Sequence, residues 1–559
     1  MKNWNILELL KSISVEPVIL CNALAITYHN VVYRFGIYRV ICQQMYGDDP
    51  GVDCSDLSNS THGRAPELAI QRASADWNIQ VSMSYLIPAV VADVMLGALG
   101  DRYGRKMNML LGIFGMMLAV LPVAIIFSFP RTMPLYVLLI TNVMAGFTGF
   151  VTIVVISAFA YLADTVVDRD LLTVRMTLIQ VCVNVGGIFG PLLASATSKV
   201  LTSSIQEVIA LSFLIAAFTI ALLVLRQTPP AAMRKKMIDR QAAKKLAASD
   251  PQNLQLDVQE RKDNPEVPKE TGEEPTDPTS EASASQGSCI LALCCSPVIQ
   301  VLKECIQLMK EIWITYTKRR EGHVRAYILI ASGVVFASMA AELGLRYAIF
   351  GLYVQKAPLS WNQDMIGYYD SANGAVTTAG TIAGIFIFKK LLGLADTTVV
   401  LIALASGIAE SLLIAFGTHT WMLFLSAVVG CLSSLVKPCV KSFVAKLVAP
   451  DEVGKAFTIF GISQTVAYLL SAVVYNNIYK ATLETFPGFV YVFASIILIL
   501  IFLLVVWVHI DQKRAAGETW LIVSTKSIKT WMKERSEKGS GSKKVAPQNT
   551  TDGAVVTAA

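Results

Sequence analysis

Charge is scarce in this 559-residue chain: Asp, Glu, Lys and Arg together make up 16% of it. A soluble domain usually carries about 25%. Histidine is scarcer still, at 5 residues, and the 10 cysteines are far too few for a secreted disulfide scaffold. There is no Gly-rich loop ending in Lys-Ser or Lys-Thr to cradle a nucleotide phosphate, which excludes an ATP-driven pump. No Cys/His set has metal-ligand spacing, and no Ser/His/Asp set can be justified. These absences argue against an enzyme, and neither a metal nor a cofactor is expected. The net charge of +6 is too small and too dispersed for a nucleic-acid binder.

What is abundant is apolar surface. Residues of the AVILMFWYC set make up 54% of the chain, and they gather into runs. A bilayer core of about 30 Å needs about 20 mostly apolar residues per helix. Such stretches fall at 15–36, 77–99, 106–127, 134–162, 171–198, 206–226, 324–350, 364–388, 396–416, 420–447, 454–478 and 486–510. They are too long and too uniformly apolar for barrel strands. The expectation is an all-α membrane protein with twelve transmembrane helices in two six-helix bundles. The first bundle occupies 1–226 and the second 324–510. Between them lies a cytosolic linker, 227–323, partly disordered, and a cytosolic tail follows at 511–559. Residues 1–14 lack the cleavage site of a secretory signal.

Basic residues set the orientation. Most of the 47 Lys and Arg fall on one side if both termini are cytosolic. The short loops carrying Arg102, Arg105 and Lys106, and Lys389 and Lys390, agree. The longest outer loop, about 37–76, holds the sequon Asn59-Ser60-Thr61, a glycosylation acceptor. Cys42 and Cys54 lie beside or within it, and either a disulfide or two free thiols fits the sequence. On the inner side, residues 233–247 are basic and suit an anionic leaflet or a solvated helix extension. Residues 250–288 read as disordered linker. The stretch 289–313, with Cys289, Cys294, Cys295 and Cys305, is apolar again and reads as an interfacial helix, an acylation site or simple packing.

Ionisable residues inside a membrane are costly, so each is a functional candidate. His29 on span 1 is a proton sensor or a satisfied interhelical contact. Glu342 and Arg346 on span 7 stand four apart on one face, as a self-neutralised structural pair or as a gate. Lys437 and Lys441 on span 10 also share a face, with Pro438 between them permitting a bend. Facing a cavity they would attract an anion, and near the interface they would snorkel. Asp370 on span 8 neutralises one of these lysines or carries a proton. Asp164 organises a cytosolic gate with Arg169 or Arg175, and Asp93 joins the loop at 97–106. Glu410 is expected to be structural, and Gln464 to hydrogen-bond substrate.

Between spans 2 and 3 the chain reads Gly97-Ala98-Leu99-Gly100-Asp101-Arg102-Tyr103-Gly104-Arg105-Lys106. This resembles the G-x-x-x-D-R-x-G-R-R/K signature of the major facilitator superfamily, in the loop where that family carries it. The corresponding loop of the second half keeps little more than Lys389 and Lys390. The resemblance implies two bundles that rock about a central cavity, with helices 1, 4, 7 and 10 lining it and the motif latching its cytosolic side.

A narrower resemblance is to solute carrier family 46, the family of the proton-coupled folate transporter. It rests on Val15-Glu16-Pro17, Ala163-Asp164, Arg175-Met176, Pro358-Leu359-Ser360-Trp361, Ile366-Gly367-Tyr368, Lys446-Leu447-Val448 and Tyr475 to Leu483, in that order. By this resemblance Gln180 stands where the folate transporter has a coupling glutamate. Lys441 replaces an arginine, losing the planar fork that grips carboxylates, and Ser360 replaces a cysteine. The expectation is a proton-coupled secondary transporter, a symporter of a small organic solute, an anion rather than folate. Its partners are that solute, protons and the bilayer, in the plasma membrane or the lysosome. Two other readings stay open. Gly186 to Pro191 partly resembles the G-x-x-x-G-P motif of proton antiporters, which suits an exporter of drug-like cations. The long linker suits a transporter-like sensor.

Overall fold

The structure, a computed structural model, describes residues 13–49, 51–54, 65–166, 169–227, 307, 310, 314, 317, 318, 323–448 and 453–515. The stretches 233–247 and 250–288, the four cysteines at 289–305 and the sequon at Asn59 lie outside the described residues. The long elements are helices throughout: α1 (Glu16–Tyr46), α2 (Ala65–Tyr103), α3 (Arg105–Ser128), α4 (Tyr136–Thr165), α5 (Arg169–Ser198), α6 (Ser203–Val224), α7 (Val324–Gln355), α8 (Gln363–Lys389), α9 (Asp396–Ala415), α10 (Thr420–Leu447), α11 (Val453–Thr482) and α12 (Phe489–Ala515).

Among the described residues, nine helices are long and apolar enough to cross a membrane. The sequence expectation of twelve spans includes α1, α2 and α11 as well. In α1 polar side chains such as Asn22, His29, Asn30 and Arg34 interleave with the apolar ones, whereas α2 and α11 have side chains outside the described residues within their apolar stretches. Both α1 and α2 also run beyond the apolar stretches. The outer loop expected at 37–76 is largely helical at its two ends, because α1 continues to Tyr46 and α2 begins at Ala65.

The local chemistry explains several ends and kinks. Pro17 in the first turn of α1 needs no donor, and Glu16 beside it suits the positive helix end. Asn362 caps α8, its side chain accepting from the Met365 amide at 3.1 Å. Gly149 breaks α4 at φ +75, a conformation that costs glycine little. Gly104 does the same between α2 and α3 at φ +99. In α10 the helix tightens to 3₁₀ over Gly430–Leu435, just before Pro438, whose ring crowds the carbonyl four residues earlier. In α7 the opposite happens, and Ala340–Ile349 widens to a π-helix.

One apolar core runs through the helices before residue 227 and continues into parts of α7, α8 and α12. A second lies within the later helices, between α7, α9, α10, α11 and α12. Small residues bring α1 and α5 together: Gly186 faces Ala23, and Gly190 faces Thr27, whose hydroxyl donates to the Gly186 carbonyl at 2.7 Å. The helices before 227 meet those after 322 along a seam formed mainly by α5 against α8 and α2 against α11.

Candidate functional site

The side-chain bonds across this seam gather at the end marked by the Cys42–Cys54 disulfide. There Arg34 of α1 donates to the Asp370 carboxylate of α8 at 2.7 Å. Asp370 is 3% exposed, so the pair is buried on both sides of the seam. Arg346 of α7 approaches the same carboxylate at 3.7 Å, and Tyr347 lies beneath the Arg34 guanidinium. Nearer the end, Asn78 donates to the Ala348 carbonyl at 2.9 Å and Gln71 to the Leu352 carbonyl at 3.2 Å. Ser195 donates to the Asp364 carbonyl at 3.0 Å, and Gln363 to the Gln206 side chain at 2.8 Å. Among the described residues, three rim ion pairs, Arg72–Glu484, Lys480–Asp76 and Lys199–Asp364, lie along the perimeter.

At the opposite end, the ion pairs formed among the described residues each lie on one side of the seam. Arg175 clasps Glu16 at 2.8 Å, and Arg105 faces Asp164 at 3.4 Å. Lys389 and Lys446 share Asp396, and His323 and Tyr327 share Asp511. The Arg175 alternative for Asp164 changes here: Arg175 meets Glu16, because α1 rather than α4 presents a carboxylate to it, and Asp164 faces Arg105. The side chain of Arg169 lies outside the described set, as do those of Asp101 and Arg102; Gly97 sits in the α2 backbone nearby. The second-half loop is more than a lysine pair, since Asp396 at the start of α9 binds it to α10. Asp93 lies against the Gly149 break in α4, one carboxylate oxygen buried without a partner.

Among the candidates of the second half, Glu342 and Arg346 do not pair. The π-helix hydrogen-bonds five residues apart, so side chains four apart lose their common face. Glu342 instead binds Lys437 of α10 at 2.6 Å, and Arg346 donates to Asn373 of α8 at 3.0 Å. Asp370 therefore neutralises arginines rather than lysines. Glu342, Arg346 and Lys437 line a cavity of about 120 Å³ within the later helices. Glu410 of α9, expected to be structural, lines it too. Its carboxylate lies over Gly430, where any side chain would collide with it.

Lys441, one turn beyond Lys437, is exposed, and among the described residues it has no ion pair. Gln180 is exposed and bonds Asn184 at 3.1 Å along α5, and Gln464 is exposed on α11. His29 leaves the seam and binds Glu207 of α6 at 2.6 Å. Sequence reasoning missed Glu207, which is fully buried; an acidic residue at the start of an apolar run was the available signal. It also missed Asp364 and Asp396, both close to helix starts.

The Major Facilitator Superfamily profile matches residues 57–306. The mouse (Mus musculus) lysosomal proton-coupled steroid conjugate and bile acid symporter SLC46A3 is 24% identical over 87% of this chain and 92% of its own length. Solute carrier family 46 member 2 of Canis lupus familiaris is 31% identical over 26% of this chain and 30% of its own. The crystal structure of a D-xylose-proton symporter superposes with a TM-score of 0.56 at 11% identity, over 88% of this chain and 96% of that one. The profile covers less than half of the chain, and the solute carrier family 46 relative that spans most of it is under 25% identical. The chain is therefore similar to that superfamily in fold and in sequence pattern, and nine of its described helices are long and apolar enough to cross a membrane. The helices before residue 227 and those after 322 are joined across a seam at the disulfide end.

Proposed function

We propose that this chain is a proton-linked symporter for small organic anions, caught with its outer side closed. In this reading all of α1 to α12 cross the bilayer, 1–226 and 324–510 move as two bundles, and both termini are cytosolic. The disulfide end, with Asn59 nearby, faces the lumen or the cell exterior, where disulfides persist. The membrane is that of the lysosome or the cell surface.

The observation that carries the anion reading is the contrast between two lysines one turn apart. Lys437 is neutralised by Glu342, whereas Lys441 is exposed and has no ion pair among the described residues. An anion entering from the open side meets that charge first, and a charge-assisted contact contributes about 1.5–3 kcal/mol. Gln464 and Gln180 supply hydrogen bonds from α11 and α5, and Asp101, Arg102 and Arg105 latch the open side in the other half of the cycle. The mouse relative's activity, a proton-coupled symport of steroid conjugates and bile acids, supports an amphipathic anion as cargo.

The test is uptake into proteoliposomes of folate, a sulfated steroid, a muramyl peptide and a cationic dye, with Lys441→Ala alongside. Uptake of the sulfated steroid that falls in Lys441→Ala supports the reading. Movement of the dye alone, undiminished in the variant, overturns it in favour of cation export.

A further inference from the structure

The cavity within the later helices carries two carboxylates, Glu342 and Glu410, and two cations, Arg346 and Lys437, in a lining that is otherwise mostly apolar. The carboxylates differ in their partners. Glu342 is tied to Lys437. Glu410 forms no ion pair among the described residues and shares the cavity wall with Ser433 and Asn373.

The groups facing Glu410 come from every surrounding helix. Glu342 and Arg346 face it from α7, Tyr369 from α8, Lys437 and Cys431 from α10 and Tyr491 from α12. Of these, Arg346 stands between two acids. It donates to Asn373, which lines the cavity with Glu410, and it reaches toward Asp370 at 3.7 Å on its other side. Asp370 in turn holds Arg34 across the seam. A row of polar side chains thus runs from Glu410 past Asn373, Arg346 and Asp370 to Arg34.

We propose that Glu410 is the proton-binding carboxylate of the transport cycle, acting on the seam through Arg346; this rests on the proton linkage proposed above. With Glu410 ionised, Arg346 is drawn into the cavity and Asp370 is left to Arg34, so the disulfide end stays shut. A proton arriving on a Glu410 carboxylate oxygen removes one negative charge facing Arg346. Arg346 then leans to Asp370 and competes with Arg34 for it, and the seam loosens. No bond other than the O–H forms or breaks.

The experiment has two arms. In the first, oestrone sulfate uptake by the purified full chain in proteoliposomes is followed between about pH 5 and pH 8 for wild type, Glu410→Gln and Glu410→Asp. Wild-type uptake rises several-fold on acidification. In Glu410→Gln the profile is flat, and in Glu410→Asp, whose side chain is shorter, the midpoint moves. In the second arm, the infrared carboxyl band is titrated over the same range without substrate. A titrating band lost in Glu410→Gln and kept in Glu342→Gln supports the assignment. A wild-type pH profile and an unchanged band in a well-folded Glu410→Gln overturn it. A flat wild-type uptake profile defeats the proton linkage of the proposed function, and the infrared arm then decides on Glu410 alone.

Discussion

Arg34 and Asp370 lie 336 positions apart in sequence and meet at 2.7 Å across the seam between the two sets of helices. Both are largely buried, with side-chain exposures of 11% and 4%. Charges so placed cost several kcal/mol each to desolvate, and removing one partner leaves the other uncompensated. Their energetic role is to favour one packing of the seam over another.

The two halves of this pair are not equivalent. Arg346 is close enough to take over Asp370 when Arg34 is lost. Arg34→Gln therefore destabilises modestly, while Asp370→Asn strands two guanidinium groups and costs about 3–5 kcal/mol. Melting curves in detergent are expected to rank wild type above Arg34→Gln above Asp370→Asn. Equal losses would remove Arg346 from the account.

Lys441 and Lys437 separate binding from folding. Lys441→Ala raises the KM for a sulfated steroid about tenfold, as loss of about 1.4 kcal/mol requires, and leaves the melting temperature alone. Lys437→Ala frees the Glu342 carboxylate in the cavity and lowers the melting temperature as well. Uptake kinetics and melting on both variants check this.

The contact of α1 with α5 depends on Gly190. A Cβ there would collide with the Thr27 hydroxyl, whereas one at Gly187 would meet nothing within 4 Å. Gly190→Val should cost about 1–3 kcal/mol by overpacking, and Gly187→Ala far less. The comparison is made on folded yield and melting temperature.

The disulfide closes a loop between positions 12 apart in sequence. Loops of that size contribute about 3 kcal/mol by restricting the unfolded chain. Cys42→Ser should lower the melting temperature accordingly and leave Cys54 free to react with a maleimide. On intact cells or organelles, reaction only from the non-cytosolic side places the disulfide end there.

Much of the fold was legible because the bilayer makes composition decisive: long apolar runs with polar breaks can be little else. The residue pairs were not. The spacing of Glu342 and Arg346 suited a pair or a gate, and the π-helix changes the register on which the pair would depend. Glu410 looked structural because its helix is not among those the family resemblance puts around the cavity. Gly430, far along the chain, is what lets that carboxylate reach the cavity wall. Arg175 was matched with Asp164 from proximity in sequence, while Glu16, at the start of α1, folds onto it. Each miss is a contact between helices distant in sequence, which no local pattern encodes.

The central claim is that a proton gradient drives an organic anion through this chain. The most direct measurement is accumulation of a sulfated steroid in proteoliposomes with an acidic exterior, with and without a protonophore. The account predicts accumulation above the external concentration that collapses when the protonophore is added. Equilibration without accumulation, unchanged by the protonophore, would contradict it.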